Sequence, residues 1–212
     1  MANFNKNPGF KAKFGKEIKH KNHTIKGWAS VEQRKFFKNE ARKVKNGVIV
    51  EVGVYGGASI LEIVDICTEN NNKIYAIDPW ELVSNSNGED LINKKAKLEL
   101  LRKNLKEVRV NLEKVIDDLD YGETLKLIQD FSAGAVKKFE DNSIDVAFID
   151  GNHSYASVKE DLRLWLPKIK KGGCLWGDDY VWPSVKHAVD DFCKNNNIKY
   201  SNDGRSWYIK NE

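Results

Sequence analysis

Val48-Ile49-Val50-Glu51-Val52-Gly53-Val54-Tyr55-Gly56-Gly57 is a β-branched run that breaks into glycines. A short, continuous apolar run of this kind reads as a strand buried on both faces, as in a parallel sheet. The glycines permit positive φ and let the backbone approach a ligand closely. Ala58–Cys67 follows with Ile60, Leu61, Ile63 and Val64 at helical spacing, so the stretch reads as strand, tight loop and helix. The unpaired N–H groups of that helix's first turn then face whatever the loop holds.

The same alternation continues outward. Upstream, Ser30 and Gln33 have capping-box spacing and start a helix over about 31–44. Downstream, Lys73–Ile77 reads as a second strand closed by Asp78-Pro79, and Glu89–Leu105 has helix-forming composition. Thr124–Gln129 is the expected third strand, with Val110–Ile116 competing for that role. Ile144–Ile149 and Gly173–Gly177 are the fourth and fifth. Helices over Ala133–Phe139, Ser157–Leu166 and Ser184–Lys194 separate them, and Lys199–Tyr200 and Ser206–Ile209 close the chain as strands. The pattern predicts an α/β fold: a doubly wound, seven-stranded, mostly parallel Rossmann-like sheet with helices on both faces. Such sheets bind ligands beyond the C-terminal ends of their strands, at the switch point. Glu51–Gly53, Asp78, Asp130-Phe131-Ser132, Asp150 and Asp178-Asp179 all fall at expected strand ends.

Length and composition fit one domain with a substantial core: 212 residues, 41% hydrophobic and 31% charged. No apolar run approaches the roughly 18 residues of a membrane helix, and Met1–Gly27 lacks the apolar stretch of a secretory signal, so the expected location is cytoplasmic. Cys67, Cys174 and Cys193 have no metal spacing and read as reduced, mostly buried thiols; four scattered histidines disfavour zinc. Residues 1–45 hold thirteen Lys or Arg against three Glu. Residues 1–27 are expected to be an irregular basic arm, with the folded domain over 28–212. Such an arm is usually solvated and sometimes meets an anionic partner.

Two groups of residues carry chemistry. Asp78, 27 positions after Glu51, can accept hydrogen bonds from both ribose hydroxyls of a nucleoside cofactor. The loop lacks the G-x-G-x-x-G spacing that cradles a pyrophosphate, and Glu51 would repel one while tolerating a cationic methionine portion. Asp150, Asp178 and Asp179 end adjacent strands and are expected to converge on a hard divalent cation such as Mg²⁺, because three carboxylates packed without one would repel.

Taken together, Glu-x-Gly-x-Tyr-x-Gly at 51–57, Asp78, Phe-Ile-Asp-Gly-Asn-His-Ser-Tyr at 148–155 and Gly-Gly-Cys-Leu-Trp-Gly-Asp-Asp-Tyr at 172–180 resemble a class I S-adenosylmethionine-dependent methyltransferase. More narrowly, they resemble the metal-dependent O-methyltransferases of the macrocin type, which act on sugars. The resemblance covers about residues 28–210. It implies S-adenosyl-L-methionine and Mg²⁺ or a similar divalent cation as cofactors. It places Glu51, Gly53 and Gly57 around the methionine portion, Tyr55 also among the cofactor-binding residues, Asp78 on the ribose, and Asp130, Phe131 and Ser132 near the adenine, Ser132 as the first candidate to contact it and Trp80 as a ring that stacks there. Asp150 borders both cofactor and metal. Sugar-type relatives carry an Asp two residues after the first metal Asp, where this chain has Asn152. Catechol-type relatives carry a Lys three residues after it, where this chain has His153. Asn cannot take a proton and a neutral His can, so His153, working beside Asp150, is the expected general base.

The expected acceptor is a small molecule or glycan with a free hydroxyl, a sugar first and a catechol-like phenol second. An NAD-linked oxidoreductase and a non-catalytic polyanion-binding module are the competing classes. A homodimer is left open; nucleic-acid binding and membrane insertion are not expected. Trp28, Tyr55, Tyr155, Tyr180 and Trp182 are expected around the mouth, and residues 79–90 as a closing loop.

Overall fold

The seven-stranded sheet runs in the order Leu125–Gln129, Lys73–Asp78, Val48–Val52, Ile144–Ile149, Ile169–Gly177, Trp207–Lys210, Ser201–Asn202, and the order in which strands are added reverses between Val48–Val52 and Ile144–Ile149. The computed structural model describes residues 16–81 and 91–212, and for 91–97 the backbone alone. The strands are β3 (Val48–Val52), β4 (Lys73–Asp78), β5 (Leu125–Gln129), β6 (Ile144–Ile149), β7 (Ile169–Gly177), β8 (Ser201–Asn202) and β9 (Trp207–Lys210). The first five are mutually parallel; β9 runs antiparallel to β7, and β8 antiparallel to β9. The expected fold class is therefore the observed one.

Side-chain alternation assigns each strand residue to one of two cores. Ile49, Ile74, Phe148 and Trp176 face one side, where α1 (Val31–Lys43), α2 (Val64–Glu69) and α3 (Leu91–Asp118) supply Phe37, Ala41, Val64, Val108, Leu112 and Val115. Val50, Val52, Ala147, Ile149 and Leu175 face the other. There α4 (Ser132–Ala135), α5 (Tyr155–Trp165) and α6 (Pro183–Asn195) supply Ala135, Val158, Leu162, Trp165, Ala188 and Phe192. The three cysteines are free and buried, and burial raises Cys67 and Cys174 to about 12 and Cys193 to about 11.

Four local expectations are corrected. Residues 16–27 are not irregular: β1 (Lys16–His20) and β2 (His23–Gly27) form an antiparallel hairpin. Each strand holds one strongly apolar residue, Ile18 or Ile25, so the sequence shows almost no alternation. Ile25 is nevertheless buried, and a Cβ at Gly56 or Gly27 would collide with the Lys26 carbonyl or with Ala58, so the hairpin lies directly on the glycine loop. Val110–Ile116 is helical rather than a strand, because Val108, Leu112, Val115 and Ile116 are buried at three- and four-residue spacing along α3. The helix expected over Ala58–Cys67 is split into a 3₁₀ turn at Ile60–Glu62 followed by α2; Ser59 gives its hydroxyl to Glu51 instead of capping. The penultimate strand is Ser201–Asn202, shifted from Lys199–Tyr200. The expected closing loop falls mostly outside the described residues, as do residues 1–15 of the basic arm.

Candidate active site

At the C-terminal ends of β3, β4 and β6 lies a cavity of about 770 Å³. Gly53 and Asp78 line it at one part, Asp150, His153 and Asp179 at another, and Asp130, Phe131, Ser132 and Asp161 at a third. The chain leaves β3 through Gly53 at φ +94°, and a Cβ there would overlap the Asp150 carbonyl. Gly53 therefore lets the glycine loop and the carboxylate loop touch.

Asp78 organises the loop. Its Oδ2 accepts the Tyr55 backbone N–H at 2.9 Å and its Oδ1 accepts the Trp80 N–H at 2.7 Å. The Trp80 indole N–H donates to the Tyr55 carbonyl at 2.7 Å, closing the circuit. Tyr55, at φ +50°, is held further by its hydroxyl, which donates to Asn104 on α3 at 2.6 Å. Burial raises the Asp78 carboxyl, and the two backbone donors oppose that rise. Each oxygen keeps a free lone pair for a hydroxyl donor in the cavity.

Three residues expected on the cofactor stand behind the loop instead. Glu51 is fully buried and takes the Ser59 hydroxyl on one oxygen; among the described residues the other has no partner, and burial pushes its carboxyl well above the usual range. Gly57, at φ +84°, faces Leu112, which a Cβ would meet at 2.6 Å, so its missing side chain admits α3. Trp80 is buried in the core beneath the Arg109 guanidinium and braces the loop. None of the three lines the cavity. Ser132 does, but its hydroxyl donates to Asp161 and accepts the Trp165 indole N–H at 2.8 Å.

The carboxylate cluster also differs from the expected set. Ligand atoms of Asp150, His153 and Asp179 lie within 4.8 Å of one another. His153 Nε2 stands 2.8 Å from Asp179 Oδ2 and 3.5 Å from Asp150 Oδ1. Neither contact has hydrogen-bond geometry, and among the described residues the buried Nε2 has no hydrogen-bond partner. Asp178 lines the cavity too, but its carboxylate is taken by Arg205, whose Nε and Nη2 each lie at 3.2 Å, and by the Ser206 hydroxyl at 3.3 Å. Burial lifts Asp150 to about 6, opposed by His153 and reinforced by Asp178 and Asp179. Asp150 and then Asp179 raise the His153 imidazole to about 10 against its desolvation. Two carboxylates and an imidazole suit a divalent cation; the oxygen donors suit Mg²⁺ or Mn²⁺, and the nitrogen tilts the set toward Mn²⁺ and its neighbours.

Of the five mouth aromatics, Trp28, Tyr55 and Trp182 line the cavity. Trp28 and Trp182 remain 56% and 52% exposed, backed by Tyr55 at 4.5 Å and by His153 at 5.6 Å between ring centroids. Tyr155 and Tyr180 turn away, donating their hydroxyls to Asp191 and Asp190. Arg205, Gln33 and Asp161 were not expected in the wall. Arg205 sits in a turn between two very short strands and carries no sequence signal. Asp161 carries one: it is an acid within the otherwise apolar stripe of α5.

The strand order, the glycine loop and the strand-end acids are those of the class I S-adenosylmethionine-dependent methyltransferase fold. The family model of a methyltransferase domain matches residues 50–180, and the chain belongs to that family. An uncharacterized protein of Acanthamoeba polyphaga mimivirus, R132, is 40% identical over 58 residues, 24% of this chain and 26% of that protein; the match thus spans about a quarter of that relative. Solved structures share the fold at low identity. The O-methyltransferase NovP has a TM-score of 0.65 at 18% identity, covering 85% of this chain and 80% of that one. A caffeoyl-CoA O-methyltransferase homologue from Staphylococcus aureus gives 0.60 at 13%, covering 88% and 86%. CalS11, a TDP-rhamnose 3'-O-methyltransferase of calicheamicin biosynthesis, gives 0.52 at 15%, covering 84% and 77%. Among the described residues no helix is long and apolar enough to cross a membrane.

Proposed function

We propose that this protein transfers a methyl group from S-adenosylmethionine to a hydroxyl oxygen, with a divalent cation held by the Asp150 and Asp179 carboxylates beside His153, and that the acceptor is a sugar or glycan. The observation that carries this reading is the shared cavity: the Asp78–Tyr55 loop and the Asp150–His153–Asp179 cluster open into one space. Asp78 offers its lone pairs to the ribose, and Gly53 lines the same cavity, where the methionine portion would lie. When bound, the cofactor supplies an electrophilic methyl group and the cation supplies charge that favours a deprotonated hydroxyl.

The chain's own residues then divide the work. Trp28 and Trp182 present ring faces on which a sugar's C–H face can stack, which orients the acceptor hydroxyl toward the cluster. His153 receives the hydroxyl proton. With its pKa lifted to about 10 by two uncompensated carboxylates, His153 keeps its own proton at neutral pH. Compensation of the Asp150 and Asp179 charge removes that hold, so the base and the cation are needed together. Asp178, fixed by Arg205, stands beside the cluster as a further oxygen donor.

A catechol-like phenol is the second reading, favoured by the same two indoles, which accept an aromatic ring as readily as a sugar face. Incubation with methyl-labelled S-adenosylmethionine and panels of free sugars, sugar nucleotides and catechols, with and without a chelator, tests both. Chelator-sensitive label on a sugar supports the first reading. Label on catechols alone supports the second, and no label on either class contradicts the proposal.

A further inference from the structure

Among the described residues Arg205 is the only arginine or lysine in the cavity wall. It sits in the tight turn between β8 and β9, and four hydrogen bonds hold that turn. Asp203 accepts the Arg205 and Ser206 backbone N–H groups at 2.9 and 2.7 Å on one oxygen and the Tyr208 hydroxyl at 2.6 Å on the other. The Arg205 carbonyl accepts the Tyr180 N–H at 2.6 Å, which ties the turn to the loop after β7. The side chain, 47% exposed, reaches Asp178 through Nε and Nη2. A guanidinium carries five N–H groups. The two on Nη1 have no partner among the described residues.

Gln33 supplies a second donor. Its Oε1 accepts the Ser30 N–H at 2.5 Å in the capping box of α1, and Arg205 Nη2 at 3.4 Å. Two donors on one atom identify that atom as the amide oxygen, so the amide NH₂ points away from both. Gln33 is only 4% exposed, yet it lines the cavity. Its Nε2 has no hydrogen-bond partner among the described residues and is not sealed from solvent. Gln33 belongs to the segment that enters α1 from Trp28, and Arg205 is bonded to the loop that carries Trp182. Both donors thus stand with the two indoles that present ring faces to an acceptor.

We propose that Arg205 Nη1 and Gln33 Nε2 bind an oxyanion carried by the methyl acceptor, a carboxylate or a phosphate, so that the acceptor is an acidic compound. This rests on the methyltransferase reading above and holds for a sugar or a phenol ring. Both groups are donors only, and the oxygens that match them carry no hydrogen of their own. The charges nearest the guanidinium permit it. Asp178 is paired with Arg205, and a cation held by Asp150 and Asp179 compensates those two. Of the other wall acids, Asp78 and Asp130 follow β4 and β5, beyond β3 from Arg205, and Glu160 and Asp161 stand on α5.

The test is calorimetric titration of matched acceptors into protein loaded with S-adenosylhomocysteine and Mg²⁺. Glucose is compared with glucuronate and glucose 1-phosphate, galactose with galacturonate and galactose 1-phosphate, and catechol with protocatechuate. At least one acid should bind about 10-fold or more tightly than its neutral partner, the worth of one hydrogen bond to a charged group. The uronate and phosphate arms tell which oxyanion fits. Gln33→Glu keeps the capping box, in which Glu is an ordinary third-position residue, and keeps an acceptor for Arg205, but replaces the amide donor with a charged acceptor. It should erase the preference. Equal affinity within every pair overturns the inference even if the variant does not fold. So does a Gln33→Glu protein that takes S-adenosylhomocysteine and keeps the wild-type preference, since the acid then sits elsewhere. Uptake of S-adenosylhomocysteine with no member of any pair also overturns it, and in all three cases the cofactor reading stands. A preference confined to protocatechuate upholds the oxyanion site and moves the acceptor to the phenols. No uptake of S-adenosylhomocysteine overturns the cofactor reading and the inference with it.

Discussion

The Tyr55 backbone N–H donates to Asp78 Oδ2 at 2.9 Å, tying the glycine loop after β3 to the end of β4. In the proposed reading Asp78 is thus a scaffold for the loop as well as an acceptor for the ribose. Asp78→Ala removes two loop anchors together with the acceptors for the ribose. Hydrogen bonds to a charged group are worth roughly 1.5–3 kcal/mol each, so S-adenosylhomocysteine affinity should fall at least about 10-fold by calorimetry. Unchanged affinity would remove Asp78 from the site.

Gly53 is the contact between the two halves of the site. Gly53→Ala places a Cβ against the Asp150 carbonyl in a residue held at φ +94°. Backbone strain of this kind costs about 1–3 kcal/mol before any overlap is relieved, and 1 kcal/mol is about 2–4 °C for a domain of this size. The melting temperature should drop by roughly 5–10 °C, and His153 should be displaced relative to Asp150 in a crystal structure of the variant.

His153→Ala should lower methyl transfer by about 10²–10⁴-fold while S-adenosylhomocysteine still binds, the span ordinary for loss of a general base. A variant with the full rate would assign the proton to another group.

Asp161 gives a pH-dependent stability with a defined sign. Burial raises its carboxyl from 3.8 to about 6 in the folded protein, so folding binds a proton more tightly than the unfolded chain does. Its contribution is therefore least unfavourable below about pH 4 and worsens until the pH passes 6, where the penalty levels off at about 3 kcal/mol. Asp161→Asn should be more stable than the wild type to denaturant at pH 7, with a smaller advantage at pH 5. An advantage independent of pH would show that the carboxyl is not perturbed in this way.

The strand ends were legible because each couples a short apolar run to an acid or a glycine: Val52-Gly53, Ile77-Asp78, Ile149-Asp150 and Gly177-Asp178 all occupy the expected positions. The hairpin was not, because Lys16–His20 and His23–Gly27 derive their order from contact with Gly56 and Ala58, partners distant in sequence. Within the site, residue types were readable but orientations were not. Glu51 and Trp80 carry the right chemistry and point behind the loop. Asp178 and Asp179 are adjacent in sequence, yet Asp179 adopts φ +57° and joins His153 while Asp178 pairs with Arg205. No local pattern reports a partner 27 positions away.

The central claim is that cofactor and cation share one cavity. Its most direct test is a calorimetric titration of Mg²⁺, and in parallel Mn²⁺, into protein loaded with S-adenosylhomocysteine, repeated with Asp179→Ala. Saturable binding of at least one ion that the variant loses, with cofactor affinity retained, is the predicted result. Cofactor binding with no uptake of either ion by the wild type, or uptake that Asp179→Ala leaves intact, would contradict the account.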